Sequence, residues 1–278
     1  MDQRRIPRLC FWLTAVLALL GVSLRTVCML CFFDADVGYF QSGILPAVSN
    51  GLYFAAVAAA ILCAALTPKG TLPVELQVQG RPYAALFAGL ALGGFTVAAL
   101  LFPSLFAGVS GKITLAANLA GLPSALYFFC SAHKQGKYPD WLSLLGFIPA
   151  IWSILAIADT YFDAYVALNS PIKTALHLGL LGLMLMLLAE LRFRVGKPLP
   201  RYSLAFLSVG SYTCLVGSIP LLIAAAAGSV TLPRYSLYAA VLTIMGLYGL
   251  YLLLHYTASP IPAEVTDITA DTPNQNEE

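Results

Sequence analysis

Long apolar stretches alternate with short polar connections along almost the whole chain. Eight stretches reach the ~20 mostly apolar residues that a helix needs to cross the hydrocarbon core of a bilayer. Because backbone N–H and C=O groups must be satisfied within the segment where no water is present, each stretch is predicted to be a helix. The predicted spans cover residues 9–33, 43–67, 82–102, 113–131, 141–158, 172–193, 202–227 and 236–256.

Turn-forming residues separate most of these stretches. Proline occurs with glycine or asparagine at residues 68–70, 136–139, 169–171 and 196–198, where the chain must reverse direction. The boundary between the third and fourth spans is the least polar. Residues 103–112 are therefore expected either to connect these spans outside the membrane or to enter it again.

Composition agrees with a membrane protein. Hydrophobic residues make up 59% of the chain and charged residues 10%, with a mean hydropathy of +0.82, whereas soluble domains have about 25% charged residues. The six cysteines all lie in apolar stretches without the spacing of a zinc site or a disulfide framework, and we expect no metal and no cofactor. The predicted class is an all-α, polytopic transmembrane helix bundle of about eight spans with the lipid bilayer as its surroundings.

Charge predicts the orientation of the bundle. The net charge of +2 is too balanced to indicate a nucleic-acid partner. Short cytoplasmic loops retain basic residues, and placing the N-terminus in the cytoplasm puts most basic residues on that side. We therefore predict a protein of the cell membrane with both termini in the cytoplasm. The basic residues that this orientation leaves outside or within the membrane are Arg25, Lys112, Lys173 and Arg234.

The domain organisation is predicted to be one transmembrane domain, residues 1–256, followed by a polar tail, residues 257–278. The tail carries acidic residues and no basic one, which is typical of disorder. The tripeptide Phe-Asp-Ala occurs at residues 33–35 and 162–164, after the first and fifth spans. This recurrence raises the hypothesis of two parallel halves, residues 1–131 and 132–256, an arrangement found in transporters.

A second repeat is exact. The hexapeptide Leu-Pro-Arg-Tyr-Ser-Leu occurs at residues 199–204 and 232–237, where it opens the seventh and eighth spans. Proline suits the first turn of a helix, and tyrosine and arginine suit the membrane interface. We interpret both copies as helix starts whose arginines reach the lipid headgroups.

A candidate ligand site lies at the outer ends of the first and fifth spans. Arg25 interrupts the first span, and Asp34, Asp159 and Asp163 follow near the ends of these two spans. Ionisable groups within a membrane are expensive and indicate function by default, which raises the hypothesis that Arg25 pairs with an aspartate of the other half. The alternative is that Arg25 extends to the headgroups and that the aspartates are solvated. Asn50 could line an adjoining cavity.

A short segment resembles the rhomboid intramembrane proteases. Gly-Val-Ser-Gly at residues 108–111 is similar to their G-x-S-G motif, and His177-Leu178-Gly179 is similar to their histidine segment. The resemblance implies that Ser110 is a nucleophile and that His177 is its base. The chain lacks the Trp-Arg pair and the H-x-x-x-N pattern of that family, which puts the protease activity in doubt.

The sequence favours two other functions over an enzymatic one. The first is a small-solute permease with its site near Arg25, Asp34, Asp159 and Asp163. The second is a membrane sensor or assembly component that binds a membrane-protein partner through a cytoplasmic loop or the acidic tail. Few ionisable residues fall inside the predicted spans, which favours the second function. No catalytic residues are assigned.

Overall fold

A computed structural model describes residues 5–35, 37–68, 72, 81–103, 111–133, 139–197 and 199–258. In these residues, nine α-helices and one antiparallel pair of two-residue strands form the fold. The helices are α1 (Arg5–Cys31), α2 (Ile44–Leu66), α3 (Arg81–Leu101), α4 (Gly111–His133), α5 (Asp140–Leu145), α6 (Ile148–Tyr161), α7 (Pro171–Val195), α8 (Pro200–Ala226) and α9 (Pro233–Ala258). The strands are β1 (Phe33–Asp34) and β2 (Tyr39–Phe40).

Eight helical segments of the described residues are long and apolar enough to cross a membrane. They correspond one for one to the predicted spans, so the all-α, multi-pass membrane fold is confirmed. Residues 104–110 and 259–278 lie outside the described residues. The re-entrant segment, the disordered tail, the two parallel halves and the orientation of the termini stay predictions.

The fifth span is not one uninterrupted helix. It contains α5 and α6, which are separated at residues 146–147. Pro149 in the first turn of α6 has no N–H to donate to the carbonyl of Leu145, so the α-helical bonding pattern is broken there. Gly146 fits closely at this break, because a Cβ on it would lie 2.6 Å from Leu191 and 3.0 Å from Tyr127.

Helix α8 is the centre of the bundle and contacts α1, α2, α7 and α9. Small residues let its backbone approach α7 closely. A Cβ on Gly210 would lie 2.5 Å from the carbonyl oxygen of Gly182, and the Cys214 thiol donates a hydrogen bond to the Gly179 carbonyl at 3.3 Å. Gly179 and Gly182 thus allow the close packing of α7 against α8.

The two ends of the bundle differ in their polar groups. The strands β1 and β2 lie at the end where α1 and α6 end and where α2, α4, α7 and α9 begin, and we call this the hairpin end. The predicted orientation places the hairpin end outside the cell. All four predicted site residues are at this end, which makes it the part of the fold to examine for a site.

Candidate functional site

A buried ion-pair cluster joins α6 to α9 at the hairpin end. Arg234 Nη2 contacts Oδ2 of Asp159, which is fully buried, and Nη1 lies 3.7 Å from Oδ2 of Asp163. The Arg234 guanidinium also donates a hydrogen bond to the Asp159 carbonyl oxygen at 3.0 Å. Arg234 therefore holds the end of α6 and the residues that follow it against the start of α9.

The remaining bonding capacity of this cluster is largely satisfied by neighbouring helices. Tyr238 donates to Asp159 Oδ2 at 2.7 Å, and Thr114 of α4 donates to Oδ1 at 2.6 Å. Lys173 of α7 donates to the carbonyl oxygens of Asp163 and Val166 at 2.8 and 3.1 Å. Two cations thus face two carboxylates, so the cluster is electrically balanced without a ligand. It stabilises the contact of α4, α6, α7 and α9.

The interpretation that the arginine of the repeated hexapeptide reaches the headgroups is wrong for the second copy. In the first copy Tyr202 is 62% exposed, and the Arg201 side chain donates to the Thr67 carbonyl at 2.8 Å. In the second copy Tyr235 is 1% exposed, and Arg234 is buried in the cluster instead of reaching the surface. Both copies do begin a helix. The difference arises from the elements packed around each copy, since their local sequences are identical.

Arg25 is not part of this cluster. Its guanidinium donates one hydrogen bond, at 2.8 Å, to the carbonyl oxygen of Pro171, and its carbon lies 5.8 Å from the ring centre of Phe40 and 5.9 Å from that of Tyr53. These distances allow cation–π attraction. Within the described residues no carboxylate pairs with Arg25, so the predicted pairing with an aspartate is wrong. Because Arg25 is only 6% exposed, the alternative in which it extends to the headgroups is wrong as well.

Asp34 serves the turn between β1 and β2. Its carboxylate Oδ1 accepts a hydrogen bond from the Val37 N–H at 3.1 Å, and its carbonyl oxygen accepts one from Gly38 at 2.8 Å. Gly38 has a φ of +79°, a conformation that favours glycine. This turn brings the chain back so that Phe40 lies against the Arg25 guanidinium. Asp34 therefore helps to build the surroundings of Arg25.

A cavity of about 370 Å³ adjoins Arg25. Aromatic and neutral polar side chains provide most of its wall, and Tyr53 is the most buried of the aromatic ones at 4% exposed. The Tyr53 hydroxyl has no hydrogen-bond partner among the described residues. A buried polar group without a partner is unfavourable, so this hydroxyl is a local cost of packing Tyr53 beside the cavity. The lining residues are Arg25, Tyr39, Phe40, Asn50, Tyr53, Phe54, Asn169, Pro171, Thr174, Ala175 and Leu178.

The structure thus separates the four predicted site residues. Arg25 lines the cavity, Asp34 shapes the neighbouring turn, and Asp159 and Asp163 belong to the balanced cluster. Asn50 lines the cavity as expected. Sequence reasoning missed Tyr53 and Phe54, although their spacing of three and four residues from Asn50 places all three on one face of α2.

Charged residues are buried more often than the sequence indicated. Seven of them are buried among the described residues: Arg25, Asp159, Asp163, Lys173, Glu190, Arg194 and Arg234. Buried charge is therefore not scarce among the described residues. Glu190 and Arg194, four residues apart on α7, form one buried pair, with Arg194 Nε 3.9 Å from Glu190 Oε1.

The protease resemblance is only partly covered by the structure. Ser110 lies outside the described residues, so its pairing with His177 stays a prediction. His177 Nε2 lies 2.9 Å from the Thr160 hydroxyl. Among the described residues, no group of three or more His, Cys, Asp or Glu side chains is arranged to hold a metal ion.

Comparisons with known proteins give no match, so the function is inferred from this geometry. No protein-family model matches the chain, and neither a curated protein nor a solved structure matches it.

Proposed function

We propose that the protein is a small-solute permease whose solute site is the cavity around Arg25. The observation that carries this proposal is a buried guanidinium that makes a single hydrogen bond to the described residues beside a cavity of about 370 Å³. Small-molecule sites are concave, mostly apolar and of roughly 300–1,000 Å³, with a few polar groups that orient the ligand. The Arg25 cavity has this size and this wall.

The contrast with the other hairpin-end cations supports the same proposal. Arg234 contacts two carboxylates, whereas Arg25 contacts a carbonyl oxygen and two aromatic rings. A guanidinium has five N–H donors, and among the described residues Arg25 uses one guanidinium nitrogen in a hydrogen bond, which leaves other donors for a ligand. A buried cation without a carboxylate is unfavourable, and a bound solute would provide the missing acceptors.

A sensor that binds the solute without moving it across the membrane is the second candidate. The close contact of α7 and α8 favours it, because the Gly179–Cys214 hydrogen bond and the Gly182–Gly210 contact fix these helices against each other. A permease has to change the arrangement of its helices around the site. A sensor would instead transmit occupancy of the cavity to a membrane-protein partner.

Binding and flux measured on the same preparation distinguish these functions. The purified protein is screened by thermal shift against metabolites, and each hit is then tested for uptake into proteoliposomes. Arg25→Leu is the site variant, and Arg201→Leu, which removes an arginine that donates to the Thr67 carbonyl away from the cavity, is the matched control. Binding and uptake that are lost only in Arg25→Leu support a permease, and Arg25-dependent binding without uptake supports a sensor. The solute site is wrong if no solute stabilises the wild-type protein.

A further inference from the structure

The charge of the cavity restricts its ligand. Arg25 is the sole charged side chain among the described residues that line it. The nearby cluster of Arg234, Lys173 and two aspartates balances its own charge and provides no counter-charge for Arg25. A monoanion neutralises one buried guanidinium, whereas a dianion leaves a negative charge unpaired in the same place.

The hydrogen-bond donors in the cavity favour one kind of anion, a carboxylate. The planar guanidinium matches the two oxygens of a carboxylate, with which it forms paired, charge-assisted hydrogen bonds. Tyr53 lines the same cavity, with its ring centre 5.9 Å from the guanidinium carbon.

The rest of the cavity wall favours a ligand whose uncharged part contains an aromatic ring. The rings of Tyr39, Phe40, Tyr53 and Phe54 line the cavity, and those of Phe40 and Tyr53 lie beside the guanidinium. Such rings pack favourably against another ring. The polar lining residues Asn50, Asn169 and Thr174 are uncharged. No acidic side chain is found in the described lining, so a ligand ammonium group would lack a carboxylate partner there.

We infer that the Arg25 cavity binds monocarboxylates that carry a single aromatic ring, in preference to zwitterionic amino acids and to neutral analogues. This inference rests on the proposed solute site and specifies its substrate class.

Isothermal titration of the full-length, detergent-purified protein tests the inference with matched probes. These are 3-phenylpropionate, its neutral amide 3-phenylpropionamide, and phenylalanine, which adds an ammonium group. We expect 3-phenylpropionate to bind at least tenfold more tightly than the other two, because only it gives the guanidinium an unopposed charge partner. Arg25→Lys retains the positive charge but loses the paired N–H donors of the guanidinium. It is expected to weaken the binding of 3-phenylpropionate about tenfold.

Other outcomes separate the substrate class from the solute site. Equal binding of the acid and the amide overturns the class and leaves the site in place if Arg25→Lys weakens both. Arg25-dependent binding of dispersed phosphatidylglycerol, with no binding of 3-phenylpropionate, overturns the class and identifies a lipid headgroup as the source of the anion. Binding of 3-phenylpropionate that is unchanged in Arg25→Lys overturns both the class and the site, provided that this variant retains the wild-type melting temperature.

Discussion

Arg25 of α1 donates a hydrogen bond to the carbonyl oxygen of Pro171, the first residue of α7, at 2.8 Å. Two residues further along, Lys173 binds the loop that precedes α7. The start of α7 is therefore held from two sides, by the cavity arginine and by the loop of the ion-pair cluster. A ligand that binds Arg25 would act directly on this connection.

The ion-pair cluster is expected to be the main polar contribution to stability at the hairpin end. Arg234→Leu leaves two buried aspartates with fewer partners, and removal of one member of a buried pair is worth about 3–5 kcal/mol. Arg201→Leu changes the same hexapeptide at its other copy and should be much milder, because Arg201 is only partly buried. Unfolding of both variants in detergent, followed by tryptophan fluorescence, checks this difference. Equal loss in the two would show that the cluster adds nothing specific.

A double variant tests whether the destabilisation comes from an unpaired charge. Asp159→Leu with Arg234→Leu removes one anion and one cation, and Asp163 and Lys173 still balance each other. Apolar replacement of a whole buried pair is often neutral, so the double variant should melt at a higher temperature than Arg234→Leu alone. A strictly additive loss would mean that the hydrogen bonds from Thr114 and Tyr238 matter more than the charge.

Close packing of α7 and α8 predicts a large effect of one methyl group. Gly210→Ala places a Cβ against the Gly182 carbonyl and 2.7 Å from Met186 Cβ, which should destabilise the protein by about 1–3 kcal/mol. Gly94→Ala is the control, since no atom lies within 4 Å of the added Cβ. It should be neutral or stabilising by up to about 1 kcal/mol. Melting temperatures of the two variants measure the contrast.

At the opposite end of the bundle, a tyrosine hydroxyl is expected to stabilise a buried carboxylate. Tyr248 donates to Glu190 Oε1 at 2.7 Å, and hydrogen bonds to charged groups contribute about 1.5–3 kcal/mol. Tyr248→Phe should reduce the unfolding free energy by an amount in this range. Tyr202→Phe, at an exposed tyrosine, should leave it within about 0.5 kcal/mol of the wild type.

The orientation of the bundle is open to a direct test. In a Cys31→Ser background, which removes the exposed native thiol, Tyr165→Cys places a thiol at a position that is 80% exposed at the hairpin end. Lys197→Cys places one in the exposed connection at the opposite end. A membrane-impermeant maleimide should label the first in right-side-out vesicles and the second only after permeabilisation. The reverse pattern would place both termini outside.

The number of spans could be predicted from the sequence because hydropathy is a local property of the chain. Even the third and fourth spans, which polar residues hardly separate, are the helices α3 and α4. The break in the fifth span could also have been predicted, since Pro149 lies eight residues after Trp141, inside the predicted helix.

The partners of the charged residues could not be predicted in the same way. Asp159 was expected to pair with Arg25, whereas Arg234 contacts it from the far end of the sequence. The two copies of the hexapeptide make the reason clear, because Arg201 and Arg234 have identical neighbours in sequence and different neighbours in space. The order of helices around α8 decides these contacts, and no local pattern encodes it.

The central position of α8 also has a consequence for biosynthesis. Helices are made and inserted in chain order, but α1 and α2 pack against α8, and the carbonyl that Arg25 binds lies 146 residues further along the chain. While the ribosome makes the intervening helices, the buried face of α1 has neither of these partners. The nascent protein therefore holds an arginine in the membrane before its binding group exists, and its first helices reach their final contacts only when synthesis is almost complete.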